Sequence, residues 1–168
     1  MDKKRLILLV GPTGCGKSTY RYTYMKDIPC ISPDDFIVGQ WTGKKAGLAW
    51  EHASNVAVEL FKEGVHFAVD AQFVNPTTRA EWQKKAQDNG YECVAVIFDT
   101  PWAQLQQNQV TRGKRGLYGE IPLNVQEAAF ENFSRQMSDN SILNGFVDYM
   151  VVPWEGEVRI KGREFKLI

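Results

Sequence analysis

The sequence predicts an α/β protein: a parallel sheet with helices on both faces. Two observations carry this. Apolar runs of strand length alternate with helix-like segments through most of the 168 residues, the pattern of strands joined by crossover helices. The first run, Arg5 to Val10, is nearly continuous in apolar residues, as in a strand buried on both faces, and it opens directly into a glycine-rich turn. The length suits one domain over 1–168.

The elements follow in order. After the first strand a helix is expected from Lys17 to about Met25, then a short strand over Cys30 to Ser32. The segment LAWEHASNVAVELFKEG reads as a helix closed by Gly64, with Leu48, Ala53, Val56, Leu60 and Phe61 on its apolar side. VHFAVDA is a strand that ends on Asp70. The next helix has Asn75 as N-cap, Pro76 at its first position and Gly90 as C-cap. YECVAVIFD is a strand, and PWAQLQQNQVTRG a helix that Gly113, Gly116 and Gly119 break. IPLNVQEAAFENFSRQM is a helix, FVDYMVVP a strand, and residues 155–168 a C-terminal hairpin turning at Lys161-Gly162.

Composition narrows the function classes. Lys+Arg and Asp+Glu are 20 each, so any basic footprint for nucleic acid must be local. Cys15, Cys30 and Cys93 are odd in number and widely spaced, which fits neither a disulfide framework nor a metal site and suits reduced thiols in a cytoplasm. No segment reaches transmembrane length. The basic, apolar N-terminus runs into the glycine-rich turn without a cleavage site and is read as a strand.

The turn carries the chemistry. Gly11-Pro-Thr-Gly-Cys-Gly-Lys17-Ser18 fits G-x-x-x-x-G-K-[ST], with a strand before it and a helix after it. The glycines let backbone N–H groups of Gly11, Thr13, Gly14, Cys15 and Gly16 face phosphate oxygens, and the helix entry adds a favourable dipole. Lys17 would bridge the β- and γ-phosphates, Ser18 would ligate Mg²⁺, and Thr19 lies beside them. The expected ligands are ATP and Mg²⁺. A helix N-terminus can lower a thiol's pKa; a small side chain filling the loop is the plainer reading of Cys15.

Three further features surround this loop. Asp34 and Asp35 follow the second strand, at the sheet edge where α/β folds place ligands, and one of them could take a hydroxyl proton as the hydroxyl attacks the γ-phosphate. The same SPDDF segment also reads as a helix cap. Asp70 closes a strand as a Walker-B acid does. Arg112, Lys114 and Arg115 sit on a glycine-rich stretch, about 112–121, that could close as a basic lid or could be a solvated loop. His52 and His66 stand in no motif.

Taken together, the residues resemble the 5′-kinase domain of phage polynucleotide kinase and its small P-loop relatives. ISPDDF, VDAQFVNPTTRAEW, FDTPWAQL and TRGKRGLYGEIPLNV match that family's segments in order, over roughly residues 5 to 137. The resemblance implies a P-loop NTPase fold and ATP-dependent phosphorylation of a nucleic-acid hydroxyl, with DNA ahead of RNA. It implies Asp34 as general base, Lys17 and Ser18 on phosphates and Mg²⁺, Arg112 as lid cation, and Asp70 as a second acid beside the metal. Asp35, Asp70, Gln72 and Arg79 fall on its acceptor side.

The chain also departs from that family. Ile37 stands where the family has an arginine that helps to hold the acceptor's phosphate, and Asp-Thr-Asn is Asp70-Ala71-Gln72 here. A plain 5′-end kinase would be odd without that arginine. The hydroxymethyl group of 5-hydroxymethyluracil in phage DNA carries no phosphate for it to clamp, which brings the base hydroxyl level with the 5′-hydroxyl as acceptor. The base hydroxyl would need a flipped base, with Trp41 and Phe73 as stacking candidates by neighbourhood. A small-molecule kinase for a nucleoside, sugar or antibiotic is the alternative, and a regulatory or toxin-like module ranks below both.

Overall fold

Five strands form the sheet through parallel main-chain pairing, and the side chains of the central strands β1, β3 and β4 are covered on both faces. The computed structural model describes residues 3–38, 42–114 and 122–154, with 111–114 described by backbone alone. The order along the chain is β1 (Arg5–Val10), α1 (Lys17–Tyr24), β2 (Cys30–Ile31), a 3₁₀ turn (Pro33–Phe36), α2 (Gly43–Glu63) and β3 (Phe67–Asp70). Then come α3 (Pro76–Asp88), β4 (Glu92–Asp99), α4 (Trp102–Lys114), α5 (Leu123–Ser138), a second 3₁₀ turn (Ser141–Leu143) and β5 (Asp148–Pro153). The sheet order is β2-β3-β1-β4-β5, and every pairing is parallel.

The central strand β1 registers Leu8 against Val69 on one side and Ala95 on the other. Alternate residues serve opposite cores. Leu6, Leu8 and Val10 pack with Ala53 and Ala57 of α2, Trp82 and Ala86 of α3 and Phe133 of α5. Ile7 and Leu9 pack with Tyr20 of α1 and Leu105 of α4. Leu6 to Val10 are fully buried, which is why this run reads as continuous rather than alternating. The chain leaves β1 for β2 on one side of it and β3 for β4 across it. That reversal beside β1 opens the crevice in which α/β sheets hold ligands.

Several boundaries differ from the sequence expectation. Helix α2 begins at Gly43, capped by Thr42, whose side chain accepts from Lys45 N. Gly43 and Gly47 weaken the local helix signal, and the cap with tertiary packing outweighs them. Its buried ridge is Ala49, Ala53 and Ala57, small enough to bring the helix close to the sheet, while Leu48 is exposed. Helix α4 runs through Gly113 to Lys114 instead of breaking at that glycine. Asn75 caps α3 as expected, by accepting from Thr77 N. The C-cap of α3 is Asn89, and Gly90 takes the left-handed position after it. The proposed lid beyond Lys114 and the C-terminal hairpin lie outside the described residues. No helix among the described residues is long and apolar enough to cross a membrane.

Candidate active site

The glycine-rich loop closes tightly at the end of β1. A Cβ on Gly11 would lie 2.6 Å from Cys15 Sγ, and Gly16 caps α1 at φ 98°; a side chain is excluded at the first by contact and disfavoured at the second by conformation. Gly11 N donates to Gln72 O at 2.9 Å, tying the loop to the segment after β3. From the other side, Thr100 Oγ1 donates to Cys15 O at 3.0 Å and Asn108 Nδ2 donates to Gly14 O at 2.6 Å. Two of the loop's carbonyls are thus held from behind, by the residue after β4 and by α4.

Lys17 is buried, and its ammonium curls back to donate to Gly11 O at 2.6 Å and Pro12 O at 3.3 Å. Burial pushes the Cys15 thiol's pKa up, against the pull of Lys17, and the side chain lies buried beside Gly11. Ser18 Oγ lies 3.4 Å from Asp70 Oδ2. That pair of hard oxygen donors fits Mg²⁺, which takes one or two protein oxygens and completes its shell with phosphate and water.

Asp34 and Asp35 occupy the 3₁₀ turn after β2. The turn closes through main-chain bonds, Asp35 N to Ser32 O and Ile37 N to Asp34 O, and Ser32 at its N-cap makes no side-chain cap bond. His52 supports it from α2, with its ring edge-on to Phe36 at 4.2 Å. The other histidine, His66, accepts from Arg5 N at 3.0 Å.

A cavity of about 710 Å³ joins these parts. Thr13, Gly14, Gly16, Lys17, Ser18 and Thr19 line its floor; Asp34, Asp35 and Ile37 line the β2 end; Asp70, Ala71 and Gln72 lie between; Asn108 and Trp154 line the β5 end. Most of the residues expected from the sequence therefore meet in one place, while Gly11 and Cys15 do not line the cavity: both are buried, and their N–H groups donate to Gln72 O and Pro12 O instead of facing it.

Arg79 is a correction. It is buried, and its guanidinium donates to Phe73 O at 2.8 Å, Val74 O at 3.1 Å and Gln136 Oε1 at 2.6 Å. Burial lowers its pKa, and it faces the main chain after β3 and does not line the cavity. Phe73 is corrected likewise: it is buried against Trp50 and Trp82. Arg112 falls in the part of α4 described by backbone alone, and Trp41 lies outside the described residues.

Arg21 was not legible from the sequence. From α1 it forms an ion pair with Asp70 at 3.5 Å and donates to Cys30 Sγ at 3.5 Å and to Tyr22 Oη at 2.8 Å. Burial alone would lower its pKa; Cys30, Asp70 and Tyr22 outweigh that and hold it above the ordinary value. A helix position three residues beyond a known motif carries no signal of a partner 49 positions away.

A parallel sheet with this loop at its switch point defines a P-loop NTPase-like protein with a kinase-like fold. Residues 6–139 match the family model AAA_33, AAA domain, and the chain belongs to that family. Solved structures share the fold. The Pnkp1/Rnl/Hen1 RNA repair complex contains a chain at TM-score 0.71 and 16% identity, covering 83% of this chain and 47% of that one. A chain of the AvrRxo1-ORF1:ORF2 complex with ATP gives 0.69 and 16%, covering 94% and 57%. A chain of the PezAT toxin-antitoxin system of Streptococcus pneumoniae gives 0.67 and 13%, covering 94% and 71%. The present chain thus spans about half the length of the first two.

Proposed function

We propose that the protein is an ATP-dependent phosphotransferase that moves a γ-phosphate to a hydroxyl of nucleic acid, DNA rather than RNA. The observation that carries this is one shared cavity with a phosphate-binding loop on its floor and Asp34 and Asp35 at its β2 end. Backbone N–H groups of the loop hold the phosphate chain, and Lys17 exchanges its carbonyl partners for phosphate oxygens. Ser18 and Asp70 would hold Mg²⁺, which when bound offsets phosphate charge. Asp34 accepts the acceptor's proton as its oxygen bonds to the γ-phosphorus; the bond from that phosphorus to the bridging oxygen breaks, and ADP leaves with the electron pair. Arg112, from the helix that leads into the proposed lid, would add a cation to the transferring group. The acceptor is a 5′-hydroxyl or the hydroxymethyl group of 5-hydroxymethyluracil.

The test is incubation with γ-labelled ATP and DNA bearing 5′-hydroxyl ends, blocked ends, or blocked ends with internal hydroxymethyluracil. An oligoribonucleotide arm is included, because one fold neighbour belongs to an RNA repair complex. Label in the first or third DNA is expected, and it should fall steeply with salt. Asp34→Asn should abolish transfer and leave ATP binding intact; retained turnover would remove Asp34 from this role.

A small-molecule acceptor is the second reading, favoured by charge. The acceptor half carries Asp34, Asp35 and Asp70 against Arg21, which disfavours a polyanion. Label in small alcohols and in no polynucleotide would select it.

A further inference from the structure

Tyr22 is 65% exposed, yet its ring is held. The Arg21 guanidinium carbon lies 4.7 Å from the ring centroid, and Arg21 Nη2 donates to the Tyr22 hydroxyl at 2.8 Å. Through its other nitrogen Arg21 reaches Cys30 of β2 and Asp70 of β3, so the pair sits on the β2 side of the loop. Both side chains line the cavity that Asp34, Asp35 and Ile37 also line, whereas Trp154 enters it from beyond β5, at the other edge of the sheet. Lys17 and Arg21 are the two cations lining that cavity among the described residues, and Lys17 belongs to the phosphate loop.

An exposed tyrosine on a helix is ordinary by itself. Here it carries a guanidinium against the ring and shares a cavity with the carboxylates assigned to the acceptor. Aromatic rings and guanidinium planes are the surfaces on which unstacked nucleobases rest. Phe73, considered for stacking from the sequence, is buried in the core, Phe36 of the acid-bearing turn packs its ring on His52, and Trp154 lines the cavity from beyond β5. We infer that the Arg21–Tyr22 pair seats the acceptor's nucleobase: Tyr22 stacks on the base nearest the reacting hydroxyl, and Arg21 fixes the ring's tilt while it spans to Asp70. Thus an unstacked base, at a strand end or flipped from a duplex, is the unit recognised. The inference rests on the nucleic-acid reading above.

The test compares KM for acceptor and KM for ATP in wild type, Tyr22→Ala, Tyr22→Trp and Arg21→Lys. The acceptors are a short 5′-hydroxyl DNA and a blocked DNA carrying hydroxymethyluracil. Tyr22→Ala should raise the acceptor KM by about 5- to 100-fold, the loss of one base–aromatic stack, with the ATP KM unchanged. Tyr22→Trp should restore it. Arg21→Lys keeps the charge but loses the planar fork, so its acceptor KM should rise too. If wild type labels DNA and Tyr22→Ala leaves the acceptor KM unmoved, or raises both KM values alike, this inference fails alone. A wild type that labels neither DNA overturns it together with the reading on which it rests.

Discussion

Arg79 shows how one buried cation can shape a site it never enters. It holds Phe73 O and Val74 O, and Gln136 Nε2 donates to Val74 O as well, at 2.7 Å. Phe73 is itself a non-glycine residue at positive φ, 51°, a conformation that persists only where surroundings over-determine it. The clamp keeps this turn in place, and the turn delivers Asp70 and Gln72 to the cavity. Arg79→Leu should lower stability by about 2–4 kcal/mol, because it leaves buried oxygens of Phe73 and Gln136 without a donor. Arg79→Lys should rescue little, since an ammonium cannot reproduce the planar fork. Urea denaturation measures both. An acceptor KM that rises in folded Arg79→Lys, with stability unchanged, would return Arg79 to the acceptor side. The sequence showed this arginine next to an Asn-Pro helix start and nothing of its direction, because burial is decided by how α3 docks against α5.

At the scale of elements, helix α4 and the end of β4 act as the backing of the phosphate loop. Asn108 and Thr100 each fix one loop carbonyl from 94 and 85 residues away. A Cβ on Gly14 would lie 3.2 Å from Leu105 O, so a side chain there would crowd the helix. Asn108→Ala should therefore weaken nucleotide affinity by about fivefold, the equivalent of one hydrogen bond near 1 kcal/mol, with little change in the fold; titration calorimetry reads it. Unchanged affinity would mean that the loop is preorganised by its own turns. The loop was legible because its motif is local, and β1, β3 and β4 because strands buried on both faces are written as unbroken apolar runs. The start of α2 was not, since Gly43 and Gly47 suppress the helix signal. Neither were Thr100, Asn108 and Arg21, whose partners are brought to them by strand order alone.

Across the whole molecule, two cores on opposite faces of one sheet both contain groups that must stay protonated. Cys93 on β4 is buried in the core shared with α2, α3 and α5, and its burial raises the thiol pKa from 9.0 to about 12. On the other face, burial first and Tyr24 second raise the Tyr20 pKa from 10.0 to about 12. Both are acids whose neutral form the fold prefers. Below pH 9 the folded and unfolded chains hold these protons equally. Above it the unfolded chain releases first, binds fewer protons than the folded one, and is favoured as pH rises. Stability should therefore hold to about pH 9 and then decline toward pH 12, where the folded groups also ionise. The decline should approach about 1.4 kcal/mol per pH unit for each group in its window. Urea melts between pH 8 and about pH 10.5 on wild type and Cys93→Ala should show the variant losing less stability per pH unit, beginning at pH 9. Parallel curves would mean that the Cys93 thiolate finds solvent without unfolding, and that this core opens on its own while the sheet stays paired.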